Sequence, residues 1–287
     1  MSKFSKTLFL FTIYPIVHFT FITLVNRQLS LPSNLPLSES KTLIIGDSHT
    51  QKGLNPKLFD DAINLSQSAE PMVISYWKLK FVFDAIQPNT VIIGFGRHKI
   101  SSNQDRVFYD KRTSHEFFRR SYLIGDFDKI KDIIKIDFLS FYFKWVKRNC
   151  LYPQFNPFYF LGHYEASKGN DLCNVREKLQ NHFGSPNIEK PYSKIGMMYL
   201  DSMISFCELH DVKPIIISLP VYQEYYERIP NDIHVVYDSI KNKFQLKNVE
   251  FIDRANDYFV DFLFYDVDHL NIDGANIFSE EIREIIK

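Results

Sequence analysis

A serine and a histidine more than two hundred positions apart each stand in a setting that suits acid–base chemistry. Ser48 lies in the sequence GDSHT (46–50), and His269 lies in DVDHLN (266–271). A serine is a weak nucleophile at neutral pH unless an adjacent base takes its proton, and a histidine held by a carboxylate is such a base. Taken singly, Ser48 is equally typical of a turn serine that caps a helix, and His269 is typical of an ordinary surface histidine.

Short apolar runs that alternate with amphipathic stretches predict a parallel sheet covered by helices on both faces. The first run, KTLIIG (41–46), ends two residues before Ser48. In open sheets of this kind, ligands bind at the carboxyl ends of the strands, where Ser48 would then lie. Further strands are predicted at 63–66, 90–96, 213–220 and 249–253, and helices at 75–86, about 195–210, near 233–243 and about 274–286.

Residues 100–194 interrupt this alternation. The stretch 126–149 has apolar residues at helical spacing and predicts one long helix, and a loop-rich stretch with aromatic residues and prolines follows it. We interpret the block as an insertion in a domain that spans 41–287. Two placements stay open, a cap over one end of the sheet or an ordinary additional layer of helices.

The amino terminus carries an apolar run from Thr7 to Val25 that contains no charged residue. At about 1.5 Å per residue, a helix of this run approaches the ~30 Å hydrocarbon thickness of a bilayer. We predict a signal anchor at 1–27 and a linker at 28–40. Because lysines precede the run, the prediction is a single-pass protein whose carboxy-terminal domain is extracytoplasmic, periplasmic or at the cell surface. A cleaved signal peptide and a buried helix remain alternatives.

Composition excludes several classes of protein. Of 287 residues, 45% are apolar and 24% are charged, which is typical of a folded globular protein and not of a disordered one. Lys+Arg and Asp+Glu both number 34, and the zero net charge argues against a general nucleic-acid binder. The cysteines at 150, 173 and 207 lack zinc-site spacing. We therefore expect no nucleic-acid partner, no metal and no organic cofactor, and nothing in the sequence points to a protein partner.

The two motifs together resemble the SGNH/GDSL hydrolase superfamily. The resemblance rests on G46-D47-S48 and on D266-x-x-H269, and it covers roughly 41–99 and 195–287. The sequence HLNxxGA (269–275) is similar to membrane-anchored SGNH-like proteins of bacterial cell-envelope and exopolysaccharide systems. The resemblance implies a three-layer α/β/α, flavodoxin-like fold with parallel strands in the order 2-1-3-4-5.

The resemblance also assigns roles to residues. It implies that Ser48 is the nucleophile, that His269 is the general base and that Asp266 orients His269. Asp268 is the rival orienting residue, but neighbouring residues seldom project suitably, so we prefer Asp266.

Two superfamily positions that supply oxyanion donors differ in this chain. The glycine expected after the second strand is missing from NLSQSA (64–69), where Ser66 is our substitute through its backbone N–H. The asparagine expected after the third strand is missing from GFGRH (94–98), which leaves Gly96, Arg97 and His98 as candidates, with Arg97 or His98 as the side-chain donor. Loss of one oxyanion donor typically costs about 10²–10³ in rate.

The resemblance implies a serine esterase or O-acyltransferase, with acetyl as the expected acyl group. The expected substrate is an acylated cell-envelope glycan or a related ester. The incomplete oxyanion positions favour an alternative, a non-catalytic envelope protein that uses the same fold for binding or assembly. A lipase-like enzyme at the bilayer is a third interpretation, which requires the 126–149 helix to expose its aromatic face.

Overall fold

The strands of the central sheet follow the apolar runs of the sequence. Five parallel strands among the described residues pair in the order β2-β1-β3-β4-β5. They are β1 (Thr42–Ile45), β2 (Ala62–Asn64), β3 (Thr90–Gly94), β4 (Lys213–Ser218) and β5 (Glu250–Asp253). The three central strands consist mostly of buried Ile, Leu and Val residues, as expected for strands that helices cover on both sides. The predicted fold class and strand order are confirmed.

The computed structural model describes residues 3–29, 41–110, 112–134, 147, 151–156, 158–184, 192–257 and 260–286. Its helices are α1 (Lys3–Leu29), α2 (Ser48–Gly53), α3 (Met72–Ile86), α4 (Ser114–Ser121), α5 (Phe127–Ile133), α6 (Phe158–Leu161), α7 (Val175–Phe183), α8 (Lys194–Leu209), α9 (Gln223–Glu227), α10 (Asn231–Leu246) and α11 (Ile272–Ile286). A short antiparallel pair, β6 (Phe264–Asp266) and β7 (His269–Leu270), precedes α11.

Helices bury both faces of the sheet. The final helix α11 packs Phe278 and Ile282 into one apolar cluster with Ile44, Ile92 and Ile217 of the strands. Because side chains alternate across a strand, the residues between these point to the opposite face. There α3 and α8 pack against each other and against β1 and β4. These layers hold the carboxyl ends of β1 and β3 side by side.

A close backbone approach shapes the end of β1. Gly46 has φ +154°, and a Cβ built on it would lie 2.5 Å from Thr50 Oγ1 and 3.1 Å from the Gly94 Cα at the end of β3. A side chain at position 46 would therefore collide with both neighbours. Glycine lets the chain leave the strand in this conformation and begin α2 at Ser48.

Two compact units make up the chain. One comprises residues 37–106 and 161–287 and contains the sheet, and the other comprises residues 1–36 and 107–160. In the second unit, His18 Nε2 lies 3.1 Å from the carbonyl oxygen of Leu151, and Gln154 N–H donates to Asn26 Oδ1 at 2.7 Å. Of the predicted insertion, residues 161–184 and 192–194 therefore group with the sheet, whereas the described residues between 107 and 160 group with α1.

The predicted amino-terminal anchor corresponds to α1, which is long and apolar enough to cross a membrane by length and composition. Many of its large apolar side chains are exposed. Most of the predicted linker, residues 30–40, lies outside the described residues. The predicted helix 126–149 coincides with α5 over Phe127–Ile133, and residues 135–146 and 148–149 also lie outside the described residues.

Candidate active site

Three side chains at the carboxyl edge of the sheet form one hydrogen-bonded row. Ser48 Oγ lies 2.7 Å from His269 Nε2, and His269 Nδ1 lies 2.8 Å from Asp266 Oδ1. An ionised carboxylate only accepts hydrogen bonds, so the His269 Nδ1–H donates to Asp266. In a neutral ring, Nε2 then carries the lone pair and accepts the Ser48 hydroxyl proton. The structure thus brings together the three residues that the sequence singled out.

The local sequence sets the position of each member of this row. Ser48 is the first residue of α2, where Asp47 caps the helix by accepting a hydrogen bond from His49 N–H at 3.0 Å. Asp266 ends β6 and His269 opens β7, so the tight β6–β7 connection places the two on one register pair. Asn271 then caps α11 by accepting a hydrogen bond from the Gly274 N–H at 3.1 Å. This bond accounts for a polar residue two positions after His269.

The second carboxylate of the β6–β7 connection is also close to the histidine. Asp268 is 1% exposed, and its Oδ1 lies 3.3 Å from His269 Nδ1. The distance from the same nitrogen to Asp266 Oδ1 is 2.8 Å. The geometry therefore favours Asp266 as the orienting carboxylate and keeps Asp268 within reach as the rival.

Asp47 anchors a buried charge cluster behind Ser48. Its Oδ2 lies 2.6 Å from His98 Nε2 and 2.7 Å from Lys99 Nζ. Burial alone would raise the pKa of Asp47, but Lys99 and His98 hold it well below its usual range. Asp47 is therefore an anion, and since a carboxylate only accepts, His98 Nε2–H donates to it.

The bond to Asp47 decides what His98 can do. Burial lowers the pKa of His98 to about 4, so the ring is neutral and its Nδ1 carries a lone pair. A Cβ on Gly96 would lie 3.0 Å from this Nδ1, so the ring occupies the space beside position 96. The prediction that His98 donates to an oxyanion is wrong, because its one N–H is already engaged and its free nitrogen is an acceptor.

Two other proposed oxyanion donors, Ser66 and Arg97, are engaged elsewhere as well. The Ser66 N–H donates to Asn64 Oδ1 at 2.9 Å. Arg97 Nη1 and Nη2 donate to the two oxygens of Asp253 at 3.1 and 3.0 Å, and its Nε donates to His234. These bonds correct the predictions for Ser66 and Arg97. Among the described residues, the Ser48 N–H donates to no acceptor. This N–H group is therefore available to bind an oxyanion.

Three further residues near Ser48 were not predicted to contribute, namely His49, His182 and Lys178. His49, His98 and His182 stack in succession, with ring centroids 4.3 and 5.1 Å apart. Lys178 reaches the same cluster from α7, within the predicted insertion. The sequence DSH (47–49) offered a signal for His49 alone. The remaining contacts join positions far apart in the chain, so spacing could not reveal them.

Two overlapping groups have donor atoms close enough to hold a cation. Asp47 with His49 and His98, and His49 with Asp268 and His269, each bring three donor atoms within 4.8 Å. Ammonium groups already neutralise both carboxylates, Lys99 at 2.7 Å from Asp47 and Lys178 at 2.7 Å from Asp268. In this arrangement lysines supply the positive charge that a cation would bring.

The lowered pKa of His98 predicts a loss of stability in acid. The unfolded chain takes up this proton near the usual pKa of 6.5, and the folded protein only near about 4. Stability is therefore full above the unfolded pKa and falls as the pH drops through this window, by about 2 kcal/mol at about pH 5. Urea unfolding of the full chain at about pH 7 and about pH 5 measures this loss of unfolding free energy.

The His98→Gln variant should lose less unfolding free energy on acidification, whereas the exposed control His210→Gln should match the wild type. Equal losses in all three contradict the prediction.

One family model matches the carboxy-terminal part of the chain. Residues 173–287, which contain Asp266 and His269, match the family model described as DltD protein. The SGNH/GDSL resemblance is thereby confirmed. The match covers β4, β5 and the β6–β7 pair but not Ser48. No curated protein matches the sequence significantly.

Solved structures of similar fold include two from Bacteroides. A GDSL-like lipase of Bacteroides thetaiotaomicron shares 11% identity at a TM-score of 0.48, covering 92% of this chain and 98% of its own. A protein of Bacteroides fragilis assigned as an acylhydrolase shares 12% identity at a TM-score of 0.46, covering 91% of this chain and 96% of its own.

Proposed function

We propose that this chain is a serine esterase or O-acyltransferase that acts on acylated cell-envelope glycans or related esters. In this proposal α1 anchors the protein in the membrane, the amino terminus is cytoplasmic and the sheet domain at 41–287 is extracytoplasmic. The observation that carries the catalytic part is the row from Ser48 through His269 to Asp266, with distances of 2.7 and 2.8 Å. The glycan and the acetyl group follow from the resemblance.

The reaction begins with attack of Ser48 Oγ on the ester carbonyl carbon. His269 Nε2 takes the hydroxyl proton, and Asp266 stabilises the imidazolium that forms. The tetrahedral intermediate collapses when the ester C–O bond breaks and His269 returns the proton to the leaving alcohol. The acyl group on Ser48 then passes to water in an esterase, or to a sugar hydroxyl in a transferase, by the same steps in reverse order.

Oxyanion stabilisation in this scheme depends on the Ser48 N–H. Gly96 stands where the superfamily has an asparagine, and His98 beside it offers a lone pair. A site with fewer donors is expected to be slower, by about 10²–10³ for each donor lost. This shortage of donors is the one observation that favours the alternative, a non-catalytic envelope protein with the same fold.

A fluorophosphonate probe tests the catalytic proposal on the full chain in detergent. Such probes phosphonylate serines that an adjacent base activates. We expect one adduct, which peptide mapping by mass spectrometry locates on Ser48. Heat-unfolded protein serves as the control and should remain unlabelled. Folded protein without an adduct on Ser48 overturns the proposal and favours the binding alternative.

A further inference from the structure

Asp268 is a buried carboxylate that the proposed reaction does not use. It is almost fully buried, with His49 Nε2 at 3.3 Å and His182 Nε2 at 3.7 Å from its Oδ2. Its other oxygen, Oδ1, lies 3.3 Å from the His269 Nδ1 that must bond Asp266. A buried carboxylate in this place attracts the imidazole proton that orients the proposed base.

A lysine from outside the two sequence motifs binds this oxygen. Lys178 lies on α7, and its Nζ is 2.7 Å from Asp268 Oδ1 and 3.3 Å from Asp266 Oδ2. Its side chain is 25% exposed, so solvent screens the pair only in part. The ammonium thus bridges the two carboxylates that flank His269, and it binds the oxygen that competes with Asp266.

Charge balance around the site depends on the same lysine. The site holds three carboxylates, those of Asp47, Asp266 and Asp268. Three groups that can be cationic match them: Lys99, Lys178 and His49. Burial alone would lower the pKa of His49, but Asp268 and Asp47 raise it above its usual value. Burial lowers the pKa of His182 well below its usual value, so His182 adds no charge. Without Lys178, two carboxylates would face His269 with only His49 to offset them.

We propose that Lys178 is a positioning residue for the Ser48–His269–Asp266 row. Its ammonium occupies Asp268 Oδ1 and thereby directs the His269 Nδ1–H to Asp266. It also limits the negative charge beside His269. This inference rests on the proposed function, and it assigns to the predicted insertion a part in that site.

The first test is the pH dependence of fluorophosphonate labelling of the full chain in detergent. Removing the ammonium in Lys178→Met favours the imidazolium of His269, which cannot act as a base. We expect the acid limb of the labelling rate to move upward by about one pH unit. Lys178→Arg, which retains the charge, should keep most of the wild-type pH profile. Arg176→Met removes an exposed charge from the same helix and should leave the profile unchanged.

A double variant separates positioning from a merely structural role. Asp268→Asn removes the competing carboxylate, so adding it to Lys178→Met should return the acid limb toward the wild-type position. A lysine needed only for packing would not be rescued in this way. A wild-type pH profile in Lys178→Met, or no rescue in the double variant, overturns the proposal.

A readout independent of reactivity distinguishes the two proposals. The His269 Nδ1–H bonded to Asp266 should give a downfield proton signal in NMR spectra of the full chain, identified by its loss in Asp266→Asn. We expect this signal to weaken or shift in Lys178→Met and to persist in Lys178→Arg. An unlabelled wild type that shows this pattern refutes the proposed function but supports the positioning. An unchanged signal in Lys178→Met refutes the positioning even where labelling succeeds.

Discussion

Replacing His269 by glutamine is expected to slow phosphonylation of Ser48 by about 10³-fold or more. In the native protein, His269 Nε2 lies 2.7 Å from Ser48 Oγ. A glutamine side chain can hydrogen-bond the hydroxyl, but it cannot take the hydroxyl proton at neutral pH. The measurement is the second-order rate constant for labelling of the full chain by a fluorophosphonate, with peptide mapping to confirm the site.

Two controls bracket this first result. His210→Gln replaces an exposed histidine whose ring contacts Phe83 and Phe206, and it should label at the wild-type rate. Ser48→Ala should give no adduct. If the probe labels Ser48 of folded His269→Gln at the wild-type rate, His269 is not the base and the catalytic proposal fails.

The second large effect concerns a buried ion pair. Lys78 in α3 and Glu70 are both fully buried, and the Lys78 ammonium donates to the Glu70 carboxylate and, at 2.6 Å, to the carbonyl oxygen of Leu65. Removing one partner leaves an uncompensated charge inside the protein, at a cost of about 3–5 kcal/mol. We therefore expect Lys78→Met to lower the free energy of unfolding in urea by about this amount.

The double variant Lys78→Met/Glu70→Leu provides the matched control for the ion pair. Because both charges are removed, it should be clearly more stable than Lys78→Met alone. The exposed pair between Lys243 and Asp201, at 2.6 Å, is the surface comparison, and Lys243→Met should cost less than about 1 kcal/mol. Equal losses in Lys78→Met and Lys243→Met would show that burial does not govern this pair.

The layered fold was predictable because its signals are local. A buried parallel strand appears in the sequence as a continuous apolar run, and the runs at 41–46, 90–96 and 213–220 coincide with β1, β3 and β4. The observed strands end one or two residues before the predicted ones, because Gly46, Phe95–Gly96 and Leu219–Pro220 lie beyond the last paired residues. The predicted helices did not include the short helix α2, which begins at Ser48 just after the first strand.

The oxyanion predictions failed for a physical reason. Ser66, Arg97 and His98 have the right chemical groups, but each already donates to another acceptor: Ser66 to Asn64, Arg97 to Asp253 and His98 to Asp47. Arg97 pairs with Asp253, more than one hundred and fifty positions along the chain. A donor's availability depends on its partners, and partners at such separations leave no trace in spacing.

By itself, the sequence determined the two motifs and the order of strands and helices that carries them to one edge of a sheet. It could do so because strand and helix periodicity, glycine at a tight turn and side-chain chemistry are properties of short segments. Only the tertiary structure decided which carboxylate holds His269, which donors remain free and that Lys178 of α7 joins the site. Those outcomes depend on distances of about 3 Å between segments far apart in the chain, since a hydrogen bond forms only in that range and an ion pair is strongest there.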